Sequence, residues 1–269
     1  MGCGIAQAVV QSGFSPILFD PDKTMLLKAK ISIGKNFSAM VAKNKISASQ
    51  ENKFLASIEF AGDIKYCNAD IIIEAIIENE AAKVELFNRL AVINSSDTIF
   101  ATNTSSLSVS AIAQKIAHPA RVAGMHFFNP APLMKLVEVV KAEQTSEETV
   151  ASISLLARQM SKTPVVCKDS PGFIVNRVAR HYYLEALQLV EHGWADFETI
   201  DNILENTGFK MGAFRLMDLI GNDINFAVTN SLYEAFNKPA RFKPSVIQKE
   251  KLSKGELGRK TGKGYYSYP

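Results

Sequence analysis

The sequence predicts an α/β domain built on a parallel sheet over residues 1–168, followed by an all-α domain over residues 169–269. Three observations carry that prediction. Short apolar runs rich in β-branched residues alternate with longer helical stretches up to Lys168, the pattern of a parallel sheet flanked by helices. Runs such as IIIEA, apolar almost throughout, suit strands buried on both faces. Beyond Lys168 no strand pattern recurs as far as Lys254, and helical periodicity takes over.

In chain order, residues 5–12 read as a first helix ended by Gly13, and 16–20 (PILFD) as the strand after it. Residues 23–43, rich in Lys and Ala, read as a long helix. Further strands are expected at 70–75 (DIIIEA), 98–102 (TIFAT), 121–126 (RVAGMH), 133–140 (LMKLVEVV) and 163–167 (TPVVC). A helix at 81–93 groups Val84, Phe87, Leu90 and Ala91 on one face. Asp169-Ser170-Pro171 is a helix-start signal, a small polar cap with Pro at an early helical position. Helices are expected at 172–192, 197–206, 214–236 and 245–254, broken at His192-Gly193, Thr207-Gly208 and Lys238-Pro239. No internal repeat or low-complexity segment interrupts this order.

Composition removes several classes of function. The chain has 269 residues, 47% of them hydrophobic, enough for one large core or two smaller ones, so disorder is not expected. Net charge is +3 with both signs interspersed, too weak and too evenly spread for nucleic-acid or membrane binding, although a small basic excess suits a polyphosphate ligand. Cys3, Cys67 and Cys167 are odd in number and far apart, so neither a disulfide framework nor a metal site follows, and a reducing compartment fits best. No apolar run reaches transmembrane length and no charged leader opens the chain, which makes the cytoplasm the expected location.

The segments that carry chemistry are NTSSL at 103–107, HFFNP at 126–130 and Glu138. They place a hydroxyl, an imidazole and a carboxylate on neighbouring stretches of one sheet, the groups needed to oxidise an alcohol carbon. With the opening MGCGIAQ, PGFIVNR at 171–177 and the closing GRKTGKGYYSY, they make the chain resemble the 3-hydroxyacyl-CoA dehydrogenase family, in particular its small 3-hydroxybutyryl-CoA members. The resemblance runs from the first residue to the last.

A dinucleotide fold begins with a strand, a glycine-rich turn and a helix whose N-terminal amides receive the pyrophosphate. MGCGIAQ resembles the end of that fingerprint, with Gly2 as its third glycine and Gly4 as the small residue that follows; the first strand and the first two glycines do not occur in this sequence. The expectation is an α/β Rossmann-type NAD-binding domain, N-terminally truncated, followed by an all-α C-terminal domain, with a true start upstream of Met1. Were the chain complete as given, weak NAD binding and poor stability would be expected. Asp20, at the carboxyl end of PILFD, is placed to take the adenosine ribose hydroxyls and to repel a 2′-phosphate, favouring NAD over NADP. The competing account makes Asp20-Pro21 only a turn. The resemblance adds Glu78 and Lys83 near the nicotinamide ribose, against which stands a bland i,i+5 surface pair.

Alcohol oxidation needs a base for the hydroxyl proton, and histidine titrates near working pH. Of four histidines only His126 ends a strand, at the sheet edge where ligands of open α/β sheets bind. A histidine in an apolar setting is often just a satisfied core residue. Glu138 argues otherwise: a carboxylate inside KLVEVV is costly to bury without a partner, and a histidine–carboxylate pair supplies one. The resemblance assigns these two residues those roles. It also implies that Ser105 hydrogen-bonds the reacting oxygen, where the alternative is a helix cap for 107–112. Asn176 would bind the C3 oxygen or the thioester carbonyl of the acyl group from across a domain cleft, Asn129 would lie on the nicotinamide side, Lys260 near the cofactor, and Lys43, or Lys45, against CoA.

Where the family commonly has a Pro and an acidic residue, this chain has Ala213 and Arg215, which puts a helix start or dimer contact in doubt rather than the reaction. What the resemblance implies is NAD-dependent oxidation of a short-chain L-3-hydroxyacyl-CoA, in fatty-acid, butanoate or aromatic-acid metabolism, by a homodimer joined through its helical domain. Two alternatives stay open: a dehydrogenase of a non-CoA hydroxy acid of carnitine or gulonate type, and an inactive crystallin-like relative.

Overall fold

The computed structural model describes residues 1–269 and divides them into two units, Met1–Asp169 and Ser170–Pro269. In the first unit the alternation of apolar runs and helical stretches becomes α1 (Gly2–Gln11), β1 (Ile17–Phe19), α2 (Lys23–Ala42), α3 (Ala48–Ala56), β2 (Glu59–Ala61), β3 (Ile71–Glu74) and α4 (Glu80–Ile93). Then follow β4 (Ile99–Thr102), α5 (Val109–Ala113), β5 (Val122–Phe127), β6 (Leu136–Lys141), α6 (Glu147–Gln159) and β7 (Thr163–Lys168). β1 and β2 form a parallel pair, and the other five strands form a sheet in the order β3-β4-β5-β6-β7.

The core lies between this sheet and the helices. Ile5 and Ala8 of α1 and Ile153 and Ala157 of α6 join Ile99, Ala101, Ala123, Met125, Val137 and Val139 in one buried cluster. Each large aliphatic side chain so buried contributes about 1.5–3 kcal/mol. β4 and β5 are buried at every position, as strands covered on both faces must be.

In the first unit the structure corrects the expectation in four places. The sheet is not wholly parallel: β5 and β6 pair antiparallel, because the connection between them is shorter than the dozen or so residues a parallel crossover needs. The strand expected from 133 begins only at Leu136; residues before it form a turn in which the amides of Leu133 and Met134 both donate to the Pro130 carbonyl. α3, α6 and β2 are additional to the expected elements, although both helices carry a start signal: Ser47 and Gln50 form a reciprocal capping box on α3, and the Ser146 hydroxyl caps α6 by accepting the Thr149 amide. α4 buries Lys83 beside Phe87 and Leu90, a position the apolar pattern assigned to no face.

The second unit holds α7 (Val175–Glu191), α8 (Phe197–Asn206), α9 (Ala213–Ile220), α10 (Asn222–Ala235) and α11 (Val246–Ser253). The single helix expected at 214–236 is two, parted at Gly221, whose φ of +104° no helix accommodates. Asp169-Ser170-Pro171 does not open a helix. Gly172 and Phe173 both have positive φ, α7 starts at Val175, and the Asp169 carboxylate instead accepts the Ser108 hydroxyl at 2.7 Å and the Ser110 amide at 2.8 Å. Ala213 and Arg215 are accommodated: Ala213 is fully buried, and the amides of Phe214 and Arg215 are capped by the buried Asp201 carboxylate at 2.9 Å each. Arg215 also pairs with Glu205 at 3.1 Å. Asp218 plays the same part for the closing GKGYYSY, accepting the Tyr265 and Tyr266 amides at 3.0 Å and the Tyr268 hydroxyl at 2.9 Å. No helix is long and apolar enough to cross a membrane.

Candidate active site

Because β3, β4 and β5 run parallel, the segments that follow them emerge along one edge of the sheet. Glu78 follows β3, Ser105 follows β4, and His126 lies near the end of β5. Asn103 ties the three ends together: its amide donates to the Glu74 carbonyl at 2.8 Å, and its side-chain oxygen accepts the Phe127 amide at 2.8 Å. Sequence reasoning missed that role, in which Asn103 counts only as part of a motif.

His126 stands directly opposite Glu138 in the β5–β6 register. The antiparallel pairing that the sequence does not reveal is thus what brings imidazole and carboxylate together. His126 Nδ1 is 2.8 Å from Glu138 Oε2, with the histidine 6% exposed and the glutamate 1%. With Glu138 ionised and His126 neutral, the tautomer this contact favours carries its proton on Nδ1 and leaves Nε2 as the accepting nitrogen. The Phe128 ring, 4.6 Å from the imidazole by centroids, covers one side.

Glu78 gathers the NTSSL loop. Its Oε1 accepts the Thr104 hydroxyl (2.7 Å), the Ser105 amide (2.8 Å), and the Ser106 hydroxyl (2.8 Å) and amide (3.0 Å), with the Ser105 hydroxyl at 3.3 Å. Burial pushes this carboxyl up, but the hydrogen bonds from Thr104, Ser105 and Ser106 and the charge of Lys83 outweigh it and hold Glu78 below the usual carboxylate range. The helix-cap reading of Ser105 is displaced, since α5 is capped by Ser108, whose hydroxyl accepts the Ala111 amide. The surface-pair reading of Glu78 and Lys83 is also displaced. They are 3.3 Å apart, but the Lys83 side chain is 1% exposed and its ammonium lies 2.7 Å from Glu74, also buried; Glu78, at 36%, is the exposed member. Sequence reasoning passed over Glu74, although the signal that singles out Glu138, a carboxylate within an apolar strand, is present in IIIEA as well.

Asp20 follows β1, half-buried, and one of its oxygens accepts the Asp22 amide at 2.9 Å, so the turn is real whether or not a ligand shares the carboxylate. Gly2 opens α1. A cleft of about 510 Å³ in the first unit is lined by Gly4, Gln7, Lys43, Lys45, Asn129 and Pro130 among others, so both candidate lysines and Asn129 meet at one concavity. In the second unit, Asn176 is the second residue of α7. Lys260 is there too, in an ion pair with Asp223 at 2.5 Å.

Residues 1–170 match the model described as 3-hydroxyacyl-CoA dehydrogenase, NAD binding domain, and residues 172–268 match the C-terminal domain of the same name. The chain belongs to the 3-hydroxyacyl-CoA dehydrogenase family. It is 43% identical over its whole length to a 3-hydroxyadipyl-CoA dehydrogenase of Escherichia coli (strain K12), of which it spans only 57%. It is 39% identical to the mitochondrial hydroxyacyl-coenzyme A dehydrogenase of Sus scrofa, spanning 88% of that protein. A solved (S)-3-hydroxybutyryl-CoA dehydrogenase from Ralstonia eutropha superposes with a TM-score of 0.96 at 34% identity, covering 100% of this chain and 95% of that one.

The donor set fits the family's cofactor, NAD. Asp20 and Glu78 are carboxylates that follow parallel strands and, as hydrogen-bond acceptors, suit ribose hydroxyls.

Proposed function

We propose that the chain oxidises short-chain L-3-hydroxyacyl-CoA to 3-oxoacyl-CoA with NAD. The observation that carries this reading is the buried His126–Glu138 pair, 2.8 Å apart, at the sheet edge that also bears Ser105. His126 Nε2 takes the proton of the substrate's 3-hydroxyl, and Glu138 stabilises the imidazolium that results. NAD, when bound, accepts the hydride from the same carbon. The Ser105 hydroxyl holds the reacting oxygen, and Asn176 of the second unit binds the C3 oxygen or the thioester carbonyl, stabilising negative charge that develops on the acyl group.

Gly2, Asp20, Glu78 and Asn129 are assigned to the cofactor, with Lys83, buried behind Glu78, acting on it through that carboxylate, and Lys43 to CoA, with Lys45 on the same cleft. Lys260 is assigned to the cofactor on family resemblance alone, since its pairing with Asp223 already accounts for its position. A homodimer through the helical unit is supported by exposed apolar side chains there, among them Phe209, Leu219, Ile220 and Ile224. The three free thiols suit a reducing compartment such as the cytoplasm.

The test is NADH oxidation with acetoacetyl-CoA, beside 3-oxoadipyl-CoA as the carboxylated competitor. The reading expects turnover that falls by orders of magnitude in His126→Ala. Folded protein that turns over neither substrate would move the assignment to a non-CoA hydroxy acid or an inactive relative, and light scattering at monomer mass would end the dimer assignment.

A further inference from the structure

Glu74 has no part in the reading above, yet both of its oxygens are engaged. It closes β3 with its side chain buried. Oε1 accepts the Lys83 ammonium at 2.7 Å and the Ile76 amide at 2.7 Å, and Oε2 accepts the Thr102 hydroxyl at 2.7 Å. A buried ion pair is a poor way to stabilise a strand end, because apolar residues of similar volume fill such a site without desolvating two charges. What the pair does is hold a cation in place. Lys83 reaches from Glu74 to Glu78, 3.3 Å away, and Glu78 in turn gathers Thr104, Ser105 and Ser106. Thr102 brings the same carboxylate into contact with the strand from which that loop departs.

We propose that Glu74 is a positioning residue for the cofactor site: it fixes Lys83, and through Lys83 the orientation and charge of Glu78 and the order of the Thr104–Ser106 loop. This rests on the reading that Glu78 faces the nicotinamide ribose. Glu74 touches neither cofactor nor substrate. Its effect passes through the Lys83 charge, so an uncharged isostere removes the effect while keeping the volume.

The experiment compares wild type, Glu74→Gln, Glu78→Gln and the double variant. In Glu74→Gln the NADH dissociation constant by calorimetry should rise roughly tenfold, as expected for loss of a charged hydrogen bond that orders a ligand group. The KM for acetoacetyl-CoA should stay within about threefold, whereas kcat should fall by up to about tenfold, because Ser105, which holds the reacting oxygen, belongs to the loop that Glu74 orders. Without cofactor, the Ser105 and Ser106 amides that donate to Glu78 should exchange with solvent faster. The double variant should bind NADH no more weakly than Glu78→Gln alone, since Glu74 acts through Glu78. Lower thermal stability with unchanged NADH affinity and unchanged amide exchange would overturn the proposal and leave Glu74 a structural residue. If Glu74→Gln does not fold, Glu74→Asp, whose shorter side chain draws the carboxylate back from Lys83 while keeping its charge, should weaken NADH binding in the same direction, and unchanged affinity there would overturn it equally. Loss of affinity in Glu78→Gln but not in Glu74→Gln defeats this proposal alone, whereas unchanged affinity in Glu78→Gln defeats the cofactor reading beneath it.

Discussion

In the proposed reaction, Glu138→Gln isolates the part that depends on the imidazolium. At the roughly 4 Å charge separation that accompanies a 2.8 Å contact, a carboxylate and an imidazolium attract by about 4 kcal/mol at an effective dielectric near 20. At 1.36 kcal/mol per tenfold, that corresponds to about a thousandfold in rate if the full charge is present in the transition state, and about a hundredfold if two-thirds of it is. The glutamine amide adds a second fault. Donating to Nδ1, it would move the ring proton to Nε2 and leave no lone pair for the hydroxyl proton. The expected result for oxidation of 3-hydroxybutyryl-CoA is a fall in kcat of about 10²–10³, with KM for the acyl-CoA altered by less than about threefold. Steady-state absorbance of NADH at saturating NAD measures both. A kcat within tenfold of wild type would refute the reasoning, because the pair would then be a structural contact between β5 and β6.

Other expectations follow from the same contacts. Since Glu78 is depressed in the folded state, the stability it contributes is present above its unfolded value, about 4.3, and is lost as pH falls through the lower folded value. Urea denaturation should therefore show Glu78→Gln less stable than wild type at pH 7, with the gap closing below about pH 4. A gap independent of pH would mean that the carboxylate's charge is not what the loop depends on. In the second unit, a Cβ at Gly264 would overlap the Asp218 carboxylate, so Gly264→Ala should release the closing segment and lower stability by about 1–3 kcal/mol, read by thermal unfolding, while NADH affinity of the folded protein is retained. Lys162, pushed down from its usual range by burial, donates to the carbonyls of Ala131 (2.6 Å) and Met134 (2.9 Å) in the turn that follows Asn129 and Pro130. Lys162→Met should loosen that turn and raise KM for acyl-CoA more than it lowers kcat.

Much of the candidate site is legible in the sequence because its signals are local. His126 stands out as the histidine at a strand end, and Glu138 by the cost of a carboxylate in an apolar run. Glu74 offers the same signal and is easily passed over, because a single sequence does not say which strand lies beside which. Its partners Lys83 and Thr102 are nine and twenty-eight residues away. The Asp169-Ser170-Pro171 signal misleads for a related reason. Its carboxylate reads as a cap for the helix that follows, whereas it is engaged by Ser108 and Ser110, some sixty residues earlier.

The alternation of strands and helices in the first unit, the change to an all-helical second unit and the candidates for the reacting groups were legible in the sequence alone, since periodicity, turn residues and the cost of a buried charge act over a few residues. The tertiary structure decided the direction of β6, and with it the register that sets His126 against Glu138. It also decided that Lys83 is a buried cation held between two carboxylates rather than half of a surface pair. Strand direction depends on how a short connection closes in space, and a buried charge depends on which groups the fold packs around it, and neither is encoded in local spacing.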